Sequence, residues 1–412
     1  MLVSLFFLFT QNISMAEIKP DLETFAKIKV IGVGGGGGAA INRMVESGIR
    51  EVEFIAINTD VQALQNNKAQ TKIHIGRSTT KGLGAGMDPE MGKVAAEESQ
   101  NELRDALRGA DMVFVTCGLG GGTGSGASAV VAELARDSGA LTLAIVTKPF
   151  AFEGAQRRNI AERALAELTD KVDAIITIPN DKLLQIIDKK TSLLDSFRIA
   201  DEVLRQGVQG IAEIITIPGL INVDFADVKS IMSNAGSALM GVGSASGENK
   251  AIEAAKMAIN SPLLEMSIEG ARGVLFTVVG GEDLAMYEVN EAAKVITSST
   301  DDDARIIFGA VIDNKLKDEI KITVVATGFD GNSIKSNSDV PSLMKDTSTY
   351  TPSDFLRTKS DEDNKLEDMR KKSKVSPLKA AQAEPARNKK NEEEEDEDDE
   401  LGIPAFIRKK MM

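Results

Sequence analysis

Residues 111–137 read DMVFVTCGLGGGTGSGASAVVAELARD. The first seven, DMVFVTC (111–117), are almost all apolar and read as a buried strand. Six of the next nine, Gly118 to Gly126, are glycine, and the alanine- and valine-rich run that follows reads as a helix. Strand, glycine turn and helix together make a phosphate cradle: residues without Cβ let backbone N–H groups approach closely, and the helix N-terminus adds partial positive charge. IKVIGVGGGGGAAINRMVESG (28–48) repeats the pattern, with a strand at 28–33, five glycines and an amphipathic stretch at 39–48. Its G-x-G-x-x-G (Gly32, Gly34, Gly37) alone is equally a dinucleotide turn, with Asp60 near the second strand to meet a ribose. The second cradle, about 85 residues further on, decides between the two readings. It has no place in the dinucleotide fingerprint and fits a longer, more charged polyphosphate held from two sides. Neither cradle is a lysine-bearing P-loop, because the nearest candidate, Gly86 to Lys93, has the wrong spacing and Val94 where Ser or Thr belongs.

Outward from these two turns the strand signal recurs in VEFIAIN (52–58), LTLAIVT (141–147) and VDAIITI (172–178). Helical runs SAVVAELARDSG (128–139) and NIAERALAELTDK (159–171) lie between the later strands. Alternating strands and helices predict βαβ units and a doubly wound parallel sheet over residues 27–191. Residues 192–217 form one long helical pattern. Its apolar positions, from Leu193 through Val203, Leu204 and Val208 to Ile215, cover more than one face, so a central helix largely buried between two bodies is expected. Pro218-Gly219 ends it. Residues 218–330 then mix helical DFADVKSIMS, ENKAIEAAKMAIN and LAMYEVNEAAKVIT with strands GVLFTVVG (273–280), RIIFGAVI (305–312) and IKITVVAT (320–327), a smaller α+β unit. Residues 331–400 lose apolar periodicity and end in NEEEEDEDDE, which self-repels; they read as a disordered linker. LGIPAFIRKKMM (401–412) follows as a tethered apolar-basic peptide.

The chain has 412 residues, no tryptophan and a formal net charge of −14. An acidic chain lacks the surplus of Lys and Arg that binding nucleic acid by bulk electrostatics needs, so no nucleic-acid partner is expected. Cys117 is the single cysteine and His74 the single histidine. That excludes an internal disulfide and a Cys/His metal site, and it fits a reducing cytosol. Cys117 reads as a small buried residue and His74 as structural or exposed. LVSLFFLF (2–9) is far shorter than the roughly 20 residues that span a bilayer. Residues 1–26 are taken as an extension, with Met15 as an alternative start, and no membrane-spanning segment is expected.

Several ordered motifs carry a resemblance. GGGTGSG (120–126) resembles the tubulin-signature loop, and IKVIGVGGGGG, NTDVQAL, KGLGAGMDPE, TKPFAFEG, TIPNDKLL, NVDFADV, SPLLE and ARGVL resemble the FtsZ family of bacterial tubulin homologues. The likeness runs from about residue 27 to 329 and resumes at GIPAFIRKK. It implies a tubulin/FtsZ-like α/β fold, GTP and GDP as ligands with Mg²⁺ on the phosphates, and GTP hydrolysis by a cytoplasmic protein. It further implies head-to-tail polymerisation into the cytokinetic ring at mid-cell.

Carried over residue by residue, the resemblance puts Gly35, Gly36, Gly37 and Gly38, with Ala85, Gly86 and Met87, at the phosphates. Gly120, Gly121, Gly122, Thr123, Gly124 and Ser125 wrap the β- and γ-phosphates. Glu153 and Arg157 reach the ribose, and Asn180, Phe197 and Asp201 frame guanine. A carboxylate at Asp201 can accept from both N1–H and the exocyclic amine of guanine, whereas adenine N1 only accepts. The family often has Asn where this chain has Ala39, which removes a possible polar contact. Asn222, Asp224 and Asp227 carry the catalytic expectation. From spacing alone, acids three apart at a helix start are caps. In the family this loop enters the next subunit's pocket and orients the attacking water. At the far end, Ile403, Pro404, Phe406, Ile407 and Arg408 resemble the peptide that binds membrane-tethering division adaptors.

Overall fold

The computed structural model describes residues 26–329, apart from 50, 185–190, 218, 262–266 and 315. The N-terminal extension, the helix stop at Pro218, the SPLLE motif, the linker and the terminal peptide with Ile403, Pro404, Phe406, Ile407 and Arg408 therefore lie wholly or largely outside the described residues. Among the described residues ten strands form: β1 (Ile28–Val33), β2 (Val52–Asn58), β3 (Thr71–His74), β4 (Met112–Gly118), β5 (Leu141–Lys148), β6 (Ala174–Pro179), β7 (Gly236–Ser246), β8 (Gly273–Gly280), β9 (Arg305–Ile312) and β10 (Glu319–Thr327). The helices of the first half are α1 (Gly34–Glu46), α2 (Val61–Gln65), α3 (Pro89–Glu98), α4 (Gln100–Leu107), α5 (Gly122–Asp137), α6 (Ala155–Thr169) and α7 (Asn180–Leu183). Then come α8 (Leu193–Thr216), α9 (Phe225–Met232), α10 (Lys250–Ile259) and α11 (Met286–Thr297).

All ten strands join one sheet in the order β3-β2-β1-β4-β5-β6-β7-β10-β8-β9. From β3 to β7 every pairing is parallel. Strands covered on both faces must be apolar throughout, and β4 shows it, with Met112 to Cys117 all buried. One layer of core lies towards α1 and α8 and the other towards α3–α6. A third cluster fills the space under α10 and α11. The two units expected from sequence share the sheet: β6 meets β7 over only Ala174–Ile176 with Gly236–Ala238. Beyond β7 the pairings with β10 and β8 turn antiparallel.

Strand order reverses between β1 and β4, since the chain first builds outward to β3 and then returns to the other side of β1. In open α/β sheets the crevice beyond the strand C-termini at such a switch point is where ligands bind. Both glycine turns leave from it.

α8 is the long connecting helix. Val203, Leu204, Val208, Ile211 and Ala212 are buried, the four larger side chains contributing roughly 1.5–3 kcal/mol of transfer free energy each. Two glycines let it lie tight on the sheet. A Cβ at Gly207 would meet Ile145 and Met240 at 3.2–3.3 Å, and one at Gly210 would stand 2.8 Å from Thr323. The helix thus bridges β5 in the first half of the sheet and β7 and β10 in the second. Burial is less complete than its apolar spread predicts. Leu194 and Phe197 are 62% and 40% exposed, because the first turns of α8 project beside the crevice rather than between two bodies. Cys117 is fully buried, and burial pushes its thiol up to about 12, so it is a core residue and no nucleophile. His74 is half-buried at the end of β3, opposite Asn58 in the ladder.

Candidate nucleotide site

The register Val33↔Cys117 starts the two glycine turns side by side. Gly34, at φ +73, makes the first tight bend, and a Cβ on it would sit 2.8 Å from the Gly124 nitrogen. The turns are thus packed against each other, and only residues without side chains fit. Gly120 donates its N–H to Ser125 Oγ at 2.9 Å, and Thr59 and Thr123 share a buried hydroxyl hydrogen bond of 2.7 Å. These contacts fix the second turn before any ligand arrives. α1 begins at Gly34 and α5 at Gly122, so the unpaired N–H groups of two helix N-termini converge on one place.

A cavity of about 590 Å³ opens there. Its phosphate end is walled by Gly35, Gly36, Gly121, Gly122, Thr123 and Gly124, and closed by Ala85 and Met87. An antiparallel bridge between Asp60 and Leu83 anchors the closing loop. At Gly35 and Gly121 a Cβ would meet nothing within 4 Å; it would project into open space. Among the lining residues the only cation is Arg157, and Glu153 already pairs with it at 2.5 Å. The cradle therefore offers a polyanion mainly backbone dipoles.

At the other end Phe197 lines the cavity and stands edge-on to buried Phe150 at 5.6 Å, with Phe152 stacked on Phe150 at 5.0 Å, so the cavity is offered one braced aromatic ring suited to a base. Asn180 is 6% exposed and its Oδ1 has no hydrogen-bond partner. A buried acceptor left unpaired costs about 1–3 kcal/mol, which a ligand donor would recover. Asp201 lines the same cavity, and burial raises its carboxyl to about 6 against the opposing charge of Arg43. An orphaned acceptor, an ionisable acid, an aromatic ring and an amide-lined cradle fit a purine nucleoside triphosphate.

Of the residues expected here, Gly37, Gly38, Gly86, Gly120 and Ser125 do not line this cavity. A Cβ on Gly37 would clash with the Thr116 carbonyl at 2.4 Å, so that glycine serves packing. Gly38 and Ala39 face a smaller adjoining cavity of about 160 Å³. Asn58, Thr147 and Pro149, outside the expected site residues, also line the main cavity, as do Gly118 and Leu119 at the start of the second cradle. They end or follow β2, β4 and β5, and a strand's C-terminal end in a parallel sheet is the signal that marks them.

The acid loop is elsewhere. Asp224 is the N-cap of α9, its Oδ1 accepting from the Asp227 N–H at 2.7 Å. Asn222 Oδ1 accepts from the Gly219 N–H at 2.6 Å, and Ile221 bridges to Ala310 of β9. Buried Val223 and Val228 pin the loop beneath. The capping read from spacing is present, and it presents Asn222 and Asp224 to solvent, with Asp227 half-buried. Phe197 and Asp201 lie in the first half of α8, whereas this loop follows its C-terminus. At 1.5 Å per residue, Phe197 and Thr216 are roughly 28 Å apart along the helix. None of the three reaches the cavity of its own chain.

Paired amide cradles at the switch point, with a long helix leading to a second α+β half, define a tubulin-type nucleotide-binding fold. The family model "Tubulin/FtsZ family, GTPase domain" matches residues 27–188, and "FtsZ family, C-terminal domain" matches 236–330. A solved FtsZ dimer from M. jannaschii is 48% identical, covers 74% of this chain and 89% of its own, and superposes with a TM-score of 0.71. CetZ2 from Haloferax volcanii, solved as a GTPγS-bound protofilament, shares the fold at 23% identity, covering 83% of this chain and 99% of its own with a TM-score of 0.64. The chain belongs to the FtsZ family of tubulin-like GTPases, and it binds GTP and GDP.

Proposed function

We propose that this protein polymerises head to tail, that Asn222, Asp224 and Asp227 of one copy complete the nucleotide site of the next, and that the filaments form the cytokinetic ring at the bacterial division site. The separation along α8 carries this reading: a chain cannot bring its acid loop to its own phosphates, yet both parts are preformed. Leu83 beside the cavity is 87% exposed and Leu220 beside the acid loop is 72% exposed, which suits a contact between the two ends. A heterologous contact of this kind propagates into an open filament. The solved relatives include an FtsZ dimer and a CetZ2 protofilament, in keeping with assembly.

Within a completed site the glycine cradles hold the β- and γ-phosphates, Glu153 and Arg157 hold the ribose, and Asn180, Phe197 and Asp201 read guanine. Asp224 and Asp227 orient and deprotonate the attacking water. Mg²⁺ would supply neutralising charge on the phosphates. Among the described residues no group of three His, Cys, Asp or Glu is arranged to hold a metal, so the ion would be carried on the triphosphate itself. The terminal peptide around Phe406 would capture a membrane-tethering adaptor of the cytoplasmic division machinery. Among the described residues no helix is long and apolar enough to cross a membrane.

Sites completed between copies make GTPase activity depend on protein concentration. The total rate should be near zero below a sharp threshold and rise linearly with the concentration in excess of it, so that turnover per chain climbs towards a plateau. A rate strictly proportional to concentration from the lowest values upward would remove the shared-site reading. Base reading by Asp201 has its own test. Its acid, raised to about 6 in the free protein, must be ionised to accept from guanine, so binding releases a proton. GTP affinity should be level above pH 7 and about tenfold weaker at pH 5, falling as pH drops through the free-protein pKa. A flat profile from pH 5 to 8, measured below the assembly threshold, would remove Asp201 from recognition.

A further inference from the structure

The strap over the phosphate end, residues 76–88, runs from β3 to α3 and carries Ala85 and Met87 into the cavity wall. Its backbone is left-handed at Lys81 (φ +52) and Met87 (φ +64), a conformation that residues with a Cβ keep only where their surroundings hold them. Glu98, the last residue of α3, holds the near end. One of its carboxylate oxygens accepts the Ser78 N–H at 2.9 Å, and the other accepts the Thr79 N–H at 3.2 Å and the Thr79 hydroxyl at 2.8 Å. Hydrogen bonds that end on a charged acceptor are the stronger kind. The Ser78 amide first, and then the Thr79 hydroxyl, draw the Glu98 carboxyl down to about 2, so it stays charged throughout the range in which Asp201 titrates.

From this latch a continuous run of hydrogen bonds leads to the cavity. Buried Thr80 donates its hydroxyl to the Gly76 carbonyl at 2.9 Å, and its own carbonyl accepts the Leu83 N–H at 3.0 Å. Leu83 forms the bridge to Asp60, and the Gly84 N–H reaches the Thr59 carbonyl at 3.4 Å. The wall residues Gly84, Ala85 and Met87 follow, and Asp88 closes the far end as the N-cap of α3. The base of the strap has no slack: a Cβ on Gly76 would stand 2.3 Å from that of Ala95. Other charges nearby are engaged elsewhere, Arg77 with Glu102 at 3.7 Å and Lys93 with Glu167 at 3.1 Å.

We propose that Glu98 is a positioning residue for nucleotide retention: it latches the strap over the phosphates and so slows their escape. It does not line the cavity and acts only through the strap. The inference rests on the phosphates lying in the glycine cradle beneath the strap, so Gly121→Ala, whose methyl would enter that cradle, is measured alongside. Dissociation of GTP and GDP is followed below the assembly threshold by chase with excess unlabelled nucleotide. The chains compared are the natural protein, Glu98→Ala, Glu98→Gln, Thr79→Val, Glu98→Ala combined with Thr79→Val, and Gly121→Ala. Amide hydrogen exchange over residues 76–88 and the unfolding midpoint are read on the same chains.

Glu98→Ala should release nucleotide about tenfold faster, the loss of a charge-assisted grip discounted for its exposure to solvent. Its unfolding midpoint should stay where it is, because residue 98 lies at the surface, while exchange quickens over residues 76–88. Glu98→Gln keeps one acceptor oxygen and should fall between. Thr79→Val loses the hydroxyl bond and should release nucleotide about threefold faster by itself, yet add nothing in the Glu98→Ala background, since residues that act through one contact are not additive. A general loosening of the fold would not give that pattern. Natural dissociation rates in Glu98→Ala, while Gly121→Ala weakens GTP, overturn the latch alone, and so does a Thr79→Val effect that is fully additive. GTP affinity untouched by Gly121→Ala overturns the placement of the phosphates, and the latch with it.

Discussion

Replacing Asp227 with Ala, or Asp224 with Asn, should lower GTP turnover roughly 10²- to 10⁴-fold, the range of a positioned general base, with GTP affinity unchanged. The choice of Asn at 224 matters. Asp224 also caps α9 through the Asp227 N–H, and Ala there would cost about 1 kcal/mol of local stability along with the charge. Asn caps as well as Asp, so Asp224→Asn isolates the water-activating role. Unchanged GTP affinity is expected because neither acid lines the cavity of its own chain, so the cradle is left whole. Wild-type turnover in both variants would remove the catalytic assignment. Loss of GTP binding in either would place the acids in their own chain's pocket, against the separation set by α8.

Most of the architecture was legible because it rests on short-range signals. β1, β2, β4, β5 and β6 are predominantly apolar runs, and the turn after β4 has the glycines of an anion cradle. What went unread has physical causes. β3 spans only four residues with a single buried position, too little for periodicity to show. α3 and α4 are mostly polar or small, and α3 is held by close contact with α5 rather than by an apolar stripe. The junction of β6 with β7 joins residues about 60 apart in sequence over three positions, and no local pattern encodes a long-range pairing. The bracing of Phe197 by Phe150 forms only when the loop after β5 folds against α8.

The glycines show the same limit within one motif, and they supply a paired prediction. Gly121 and Gly126 stand five residues apart in GGGTGSG and look equivalent as letters. A Cβ on Gly121 would enter the cavity and touch no protein atom within 4 Å, whereas one on Gly126 would lie 1.8 Å from the Pro89 carbonyl oxygen and 2.7 Å from the Lys93 nitrogen. The obstacle at Gly126 is backbone, which cannot swing aside, so α3 and α5 would have to part. Gly126→Ala should therefore destabilise the fold by about 3 kcal/mol, the upper end of ordinary overpacking. Gly121→Ala should leave the unfolding midpoint within about 0.5 kcal/mol of natural, as for a surface change. It should weaken GTP at least about tenfold, because its methyl displaces a phosphate oxygen from the amides by more than a hydrogen bond tolerates. Denaturant titration and nucleotide titration on the two variants separate the roles. Equal effects of both variants on stability, or GTP affinity untouched by Gly121→Ala, would mean that the open space beside Gly121 is not where the phosphates lie.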